Sequence, residues 1–356
     1  MVLVDFSLAF NSVDHRKLER KLRDEFSFSD GACDLLSSFL DHRTQAVKIG
    51  NVTSSQRPVL DGTPQGSCLS ALLFTLYINS LPRGLNCNYQ LYADDLQIYI
   101  SGEIRDVDQL ITSINDNLEI IERWAKQSSL FPNPKKTQAI VFCKEGSVTP
   151  ATSIVFCRER IPLADFVVNL GLKMDCNLKW NRQVNDVTAK VFGTLKTFRR
   201  FASVLTKETR RKLVQSVIIP FFTYCDVIYH PGLSAALRDQ LNRCFKASVR
   251  FVHSMRRRES TAAVRNTILG HDLETHYQNR ISCFIRQGYA GTLPAYLQQH
   301  LRRGHLERLC TFLIPQHSTT KRKSILIAGV IHWNQLPLTI RQLPTISSFK
   351  AALDRR

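Results

Sequence analysis

Two adjacent carboxylates, Asp94 and Asp95, stand between a stretch alternating aromatic and polar residues, Tyr89 to Tyr92, and an apolar, β-prone stretch, Leu96 to Ile100. Period-two patterning on both sides of turn-tolerant residues reads as a hairpin with the two aspartates at its tip. Asp is common in turns for purely local reasons, so the pair alone is equally a turn with two solvated carboxylates. Its company narrows the reading. Far upstream, Met1-Val2-Leu3-Val4-Asp5-Phe6 is an apolar run ending in an acid, the pattern of a buried strand with a carboxylate at its C-terminal end. Three carboxylates brought together repel unless a divalent cation neutralises them, and hard oxygen ligands suit Mg²⁺. Two such ions about 3.5–4 Å apart are the standard device for in-line phosphoryl transfer, so the chemistry implied is nucleotidyl transfer.

The segments around these acids read as ordinary structure with a few marked positions. Helical spacing runs from His15 to Glu25, with Asp14 as its cap, and from Asp30 to Asp41, with Ser29 or Asp30 as cap. Gln45 to Ile49 and Gln56 to Leu60 form a strand pair around Gly50-Asn51. In Gly62-Thr63-Pro64-Gln65-Gly66, two glycines let backbone approach a ligand closely while Gln65 presents an amide; a plain loop is the alternative. Leu69 to Leu81 is an apolar core helix, and Val107 to Trp124 carries apolar residues at 107, 110, 111, 114, 118, 121 and 124, an amphipathic helix. Lys135 and Lys136 follow Pro134 just before a strand, Ala139 to Phe142.

Charge separates the chain into two parts. Residues 1–150 carry 15 Lys and Arg against 18 Asp and Glu, net −3, whereas residues 151–356 carry 33 against 12, net +21. An acidic half followed by a basic half suits a polyanionic partner gripped by one part and acted on by the other. No sustained amphipathic helix with a clean lysine face points to a membrane surface, and no apolar run approaches the roughly 18 residues of a membrane span. Ten cysteines without a CxxC pair or a Cys/His cluster support neither a zinc knuckle nor a disulfide framework, which favours reduced intracellular thiols.

Five blocks in order carry a resemblance. Asp5-Phe6-Ser7-Leu8-Ala9-Phe10-Asn11-Ser12-Val13-Asp14-His15, Gly62 to Phe74, Tyr92-Ala93-Asp94-Asp95, Asn133-Pro134-Lys135-Lys136-Thr137 and Asn169-Leu170-Gly171-Leu172 together resemble the reverse transcriptases of non-LTR (LINE-type) retrotransposons. Trp333-Asn334-Gln335-Leu336-Pro337, with Ile340-Arg341 and Phe349-Lys350, resembles the tail that often follows in that family. The resemblance implies an α+β fold: a right-hand polymerase palm, an antiparallel sheet packed on helices, in residues 1–150; the end of the palm, a primer-holding β-turn-β at Phe166 to Leu172 and a helical thumb in 151–255; and a helical C-terminal region in 256–356.

It also implies an RNA-directed DNA polymerase with RNA template, DNA primer and deoxynucleoside triphosphates as partners. Two Mg²⁺ ions, for which Mn²⁺ could substitute, would be held by Asp5 and Asp94, with Asp95 secondary and the Phe6 carbonyl completing a site. Phe10 takes the position where the family sets an aromatic ring against the incoming sugar; an ordinary core phenylalanine is the equal alternative. Gln65 and Gly66 would meet the nucleotide or template. Lys136 stands where an acid for the departing pyrophosphate is expected, though a solvated lysine reads as well. Lys190, Lys196, Arg199 and Arg200, on a helix from Trp180 to Phe201, would track phosphates, and a second helix from Lys207, capped by Thr206, would end or bend at Pro220.

Leu8, Asn11 and Ala71 depart from the family's usual lysine, aspartate and proline. The blocks start just before Asp5, so the chain is expected to be the palm-to-C-terminus portion of a longer polyprotein, or a decayed element. The competing class is a catalytically inactive nucleic-acid-binding remnant that keeps the polymerase fold. No membrane partner is expected, protein partners stay open, and a nuclear location would follow from the resemblance alone.

Overall fold

Alternation along the first seven residues sorts side chains onto two faces. Val2, Val4 and Phe6 are buried, while Leu3, Asp5 and Ser7 are half-buried on the other side. The computed structural model describes residues 1–143, 150–316 and 324–355, which divide into two compact units, Met1–Gly171 and Leu172–Arg356.

The first unit begins with β1 (Val2–Val4), β2 (Phe6–Ser7), α1 (His15–Asp24) and α2 (Asp30–Leu40). Four two-residue strands follow: β3 (Thr44–Gln45), β4 (Lys48–Ile49), β5 (Val52–Thr53) and β6 (Arg57–Pro58). Then come α3 (Cys68–Ile78), β7 (Asn88–Tyr92), β8 (Asp95–Tyr99) and α4 (Val107–Gln127). Short strands β9 (Phe131–Pro132), β10 (Gln138–Ala139), β11 (Ile154–Phe156), β12 (Glu159–Ile161) and β13 (Phe166–Asn169) complete it. The main sheet is antiparallel, in the order β10-β1-β8-β7. Val2 and Val4 of β1 lie across from Ile98 and Leu96 of β8, and all four are buried. They share one core with Leu73, Phe74 and Tyr77 of α3 and with Ile111, Ile114, Leu118 and Ile121 of α4.

Local chemistry sets the helix starts. The Asp14 carboxylate accepts from the Lys17 amide at 2.9 Å, so its role is the cap that the sequence predicts. Ser29 caps α2 and Ser67 caps α3 in the same way. Helix α4 buries Ile111, Ile114, Leu118 and Ile121 of the predicted stripe, leaves Val107, Leu110 and Trp124 half-buried, and also buries Asn117, whose side chain is satisfied by the Asn86 amide and the Ser113 carbonyl. Two expected strands are shorter than their patterns. The hairpin around Gly50-Asn51 pairs only as β3 with β6 and β4 with β5; residues 41–58 are all exposed, so no buried face fixes a continuous register. The strand expected over Ala139 to Phe142 is β10, which ends at Ala139.

The second unit opens with β14 (Leu172–Asp175); β13 and β14 are the two strands expected around Phe166 to Leu172, and the division between units falls after Gly171. Helices α5 (Asn181–Arg199), α6 (Lys207–Leu213), α7 (Ile219–Thr223), α8 (Asp226–Tyr229) and α9 (Ala235–Val252) follow. After them come α10 (Leu273–Ala290), α11 (Ala295–Gln298), α12 (Ile325–Gln335), α13 (Leu338–Arg341) and α14 (Ile346–Asp354). Val184, Val187, Val191 and Leu195 of α5 share a core with Leu241, Phe245 and Val249 of α9; a separate core gathers around Trp333.

Thr206 caps α6 as predicted, but Pro220 does not end the helical run. A π-helical turn at Val214–Ile218 precedes it, which relieves the clash that proline makes with the turn before it, and Pro220 starts α7. Lys207–Gly232 has the length and composition of a membrane-crossing helix, which no uninterrupted apolar run in the sequence suggested. Val214, Ile218, Ile219 and Phe222 are buried in the unit's own core, whereas Val217, Tyr224 and Ile228 are exposed.

Candidate active site

Asp5 sits where the chain leaves one small sheet and enters another. It follows β1 and precedes β2, and β2 pairs with β9. The segment from β9 to β10 wraps it: the Asn133 amide donates to the Asp5 carbonyl at 2.8 Å, and the Asp5 amide donates to Thr137 Oγ1 at 3.3 Å. Asn133 Nδ2 also donates to Ser7 Oγ at 3.0 Å. The block Asn133-Pro134-Lys135-Lys136-Thr137 is therefore a clamp on the Asp5 backbone, which spacing could not reveal. Phe6 lies opposite Pro132, which has no N–H to offer its carbonyl.

The second pair of acids differs from the expected tip. Ala93 and Asp94 form the two-residue turn, with Ala93 at φ +52°, whereas Asp95 is already in β8 opposite Tyr92. A non-glycine residue in the left-handed region costs about 1 kcal/mol or more, so the tip carries strain. Continuing the β1–β8 register by one residue sets Asp5 across from Asp95.

The acids feel one another. Burial first, and then the Asp94 charge, push the Asp5 carboxyl above its ordinary value, while Lys136 pulls it back. Burial, then Asp94 and Asp5, push Asp95 up as well. Asp5 Oδ2 is buried without a hydrogen-bond partner among the described residues. A polar cavity of about 470 Å³ opens beside the acids, lined by Asp5, Asp95, Gln97, Lys136, Gln138 and Asn169 among others. Gln97 and Asn169 exchange two amide hydrogen bonds, 2.7 and 3.0 Å, and Gln138 accepts from the Val168 amide at 3.1 Å, so two glutamines of the main sheet hold β13 at the cavity wall. As the side chains lie, no group of three His, Cys, Asp or Glu among the described residues stands at metal-ligating spacing. The donor chemistry nevertheless fits a divalent cation: hard oxygens, mutual repulsion and an unpartnered buried oxygen.

The remaining predicted residues lie nearby or elsewhere. Gln65 is exposed and donates to Asn11 Oδ1 at 3.1 Å, so Asn11 steadies the loop amide. Gly66 is exposed at φ +83° with open space around it. Gly62, at φ +88°, would place a Cβ 2.8 Å from the Asn11 backbone. We expect Gly62→Ala to cost about 2–3 kcal/mol and Gly66→Ala only about 1, read as denaturant midpoints; equal shifts would refute the close approach. The Phe10 ring stacks on Phe74 at 4.2 Å, so it is at least in part a core residue. Lys136 is exposed, and its charge reaches Asp5.

The four basic residues expected on the helix from Trp180 to Phe201 are not alike: α5 ends at Arg199, and Arg200 is its C-terminal cap residue. Lys196, Arg199 and Arg200 are spaced three and four apart and exposed, whereas Lys190 is paired with Asp186 at 2.8 Å. Lys173 binds the same aspartate, at 2.5 Å.

Acids gathered at one end of an antiparallel sheet, beside a polar cavity, suit the class of sites that handle phosphates through divalent cations. The particular family is shown by comparison: a profile described as reverse transcriptase (RNA-dependent DNA polymerase) matches residues 1–190, and the chain belongs to that family. It is also similar to three proteins of Drosophila melanogaster. These are the probable RNA-directed DNA polymerase from transposon BS, 24% identical over 77% of this chain and 30% of that protein; the probable RNA-directed DNA polymerase from transposon X-element, 25% over 53% and 21%; and the RNA-directed DNA polymerase from mobile element jockey, 23% over 52% and 20%. The chain thus spans about a fifth to a third of the length of these relatives.

Proposed function

We propose that the chain supplies the polymerase portion of a non-LTR retrotransposon reverse transcriptase, with the first unit as palm, α5 to α9 as thumb and the Trp333 core as a C-terminal region. The observation that carries this is that Asp5 and Asp95 line one polar cavity, with the Asp94 charge acting on both, inside the span that matches the family. Asp5, Asp94, Asp95 and the Phe6 carbonyl would hold divalent ions. Bound Mg²⁺, or Mn²⁺ in its place, would neutralise phosphate charge and activate the attacking hydroxyl.

The chain's own residues do the positioning. Asn133 and Thr137 fix the Asp5 backbone, and the Gln97–Asn169 pair holds β13 where a primer end would lie. Lys136, exposed and with its charge acting on Asp5, would protonate a departing pyrophosphate. Lys196, Arg199 and Arg200 on one face suit contact with phosphates of a template–primer duplex. The direct test is incorporation of deoxynucleotides onto a DNA primer annealed to RNA, with Mg²⁺ and with chelator. No template-dependent incorporation would favour the inactive nucleic-acid-binding remnant.

Phe10 gives a second measurement. If its exposed edge meets the incoming sugar, Phe10→Val relaxes discrimination against ribonucleotides and, through loss of the ring pair with Phe74, also costs about 1 kcal/mol of stability. Lost stability with unchanged discrimination would place the gate elsewhere.

A further inference from the structure

Within the second unit, three helical elements enclose a cleft of about 860 Å³ whose wall carries six cations: Arg199, Arg210, Arg243, Lys246, Arg250 and Arg257. Among the described residues no carboxylate lines it. None of the six is in an ion pair among the described residues, although paired cations occur close by, Arg211 with Glu208 and Lys190 with Asp186. Arg243, Lys246 and Arg250 recur at i, i+3 and i+7 and so share one face of α9. Arg210 is anchored to the Phe251 carbonyl at 3.2 Å and to Ser254 Oγ, and Arg250 to the Glu259 carbonyl at 3.0 Å, while Arg199, Arg243, Lys246 and Arg257 are exposed. Beside the cleft, burial and then the charges of Lys207 and Arg210 hold the His253 imidazole below its ordinary value, a sign of a positive field.

Six like charges around one concavity repel one another, and fold packing gives no reason to gather them. A polyanion relieves that repulsion. The cleft also contains Phe192, an apolar ring left 44% exposed on α5 and seven residues before Arg199 on the same face. Cations alone suit any phosphate backbone. An exposed ring set among them suits unpaired bases, since in a duplex the base faces are stacked away. We propose that this cleft holds a single strand of nucleic acid, its phosphates among the six cations and a base against Phe192. The proposal goes beyond the polymerase reading and does not depend on it, because strand binding is measured without extension.

The experiment uses the full chain and a fluorescein-labelled single-stranded uridine oligonucleotide of about 12 nucleotides, within the range a stacking groove covers. Arg243→Glu with Lys246→Glu, both at exposed helical positions, should weaken binding and make the slope of log affinity against log salt shallower by about 1.4, the share of two phosphate contacts on a single strand. Phe192→Ala should weaken binding about tenfold or more with little change in slope. Matched controls lie outside the cleft lining: Lys212→Glu with Lys350→Glu for charge, and Phe201→Ala, 57% exposed, for an aromatic ring. Equal losses from the cleft and control charge reversals would overturn the site, as would preferential binding to anionic phospholipid vesicles. An RNA–DNA hybrid that competes as well as unlabelled single strand, with Phe192→Ala without effect, would overturn the single-strand assignment.

Discussion

Asp94→Asn is expected to lower primer extension by about a hundred- to a thousandfold while leaving affinity for template–primer within a factor of about two. Asn keeps the shape of the side chain at the β7–β8 turn, so the hairpin and the cavity persist; what is lost is one of the charges that a divalent cation and the transferring phosphate require. Asp5→Asn should behave alike, because the Asp5 backbone stays clamped by Asn133 and Thr137. A readout independent of turnover accompanies it. Asp5 and Asp95 both have carboxyls raised by burial and by neighbouring charge, Asp94 included, so their ionisation opposes folding. Without divalent cation, stability is fully present below the unfolded carboxylate range and falls as pH rises through the raised folded values. Asp94→Asn should lose less over that window, and Mg²⁺ or Mn²⁺ should raise the melting temperature of wild type more than that of the variant. Undiminished extension by Asp94→Asn would sink the assignment. An unchanged response to Mg²⁺ would detach these acids from metal binding.

Trp333→Ala is expected to destabilise the second unit by about 3–5 kcal/mol, enough to disorder the C-terminal core at physiological temperature. Trp333 is fully buried. It packs against Tyr289, Phe312 and Phe349 with ring centroids 5.8, 6.2 and 5.6 Å away, and its indole N–H donates to the Cys310 carbonyl at 2.8 Å. The next residue, Asn334, bonds both the amide and the carbonyl of Phe312, so the Trp-Asn pair of the family-like tail here fastens a returning segment onto α12. Trp333→Phe, which keeps most of the apolar volume but not the donor, should cost less than half as much. Denaturant unfolding followed by tryptophan fluorescence and circular dichroism checks both; equal costs would mean that the hydrogen bond, not the ring, holds this core.

Features encoded within a few residues were legible in the chain. Asp14, Ser29 and Thr206 cap helices because a short oxygen-bearing side chain satisfies an amide three positions ahead, whatever surrounds it. The α4 stripe and the β7–β8 hairpin follow from periodicity alone. The split of charge and the order of the acidic blocks gave the chemical class. Where patterns lacked a burial partner they overreached, as in the exposed hairpin at 44–58; and where Pro220 was expected to end or bend a helix, a π turn precedes it and a further helical turn follows.

What the sequence determined by itself was therefore most of the elements and their caps. Only the tertiary structure decided which side chains meet. Asp5 and Thr137 lie 132 residues apart and join through two strand registers that no local pattern encodes. The same holds for Gln97 with Asn169, 72 residues apart, and for Phe10 with Phe74. Lys190 reads in sequence as one more free cation of α5, yet Asp186 neutralises it; Arg243, Lys246 and Arg250, unremarked in sequence, share a cleft with Arg199 and Arg210 from other helices. A helix face is set by 3.6-residue geometry, but the neighbour it faces is set by how whole elements pack, and that packing decides whether a charge is paired, buried or left open to a ligand.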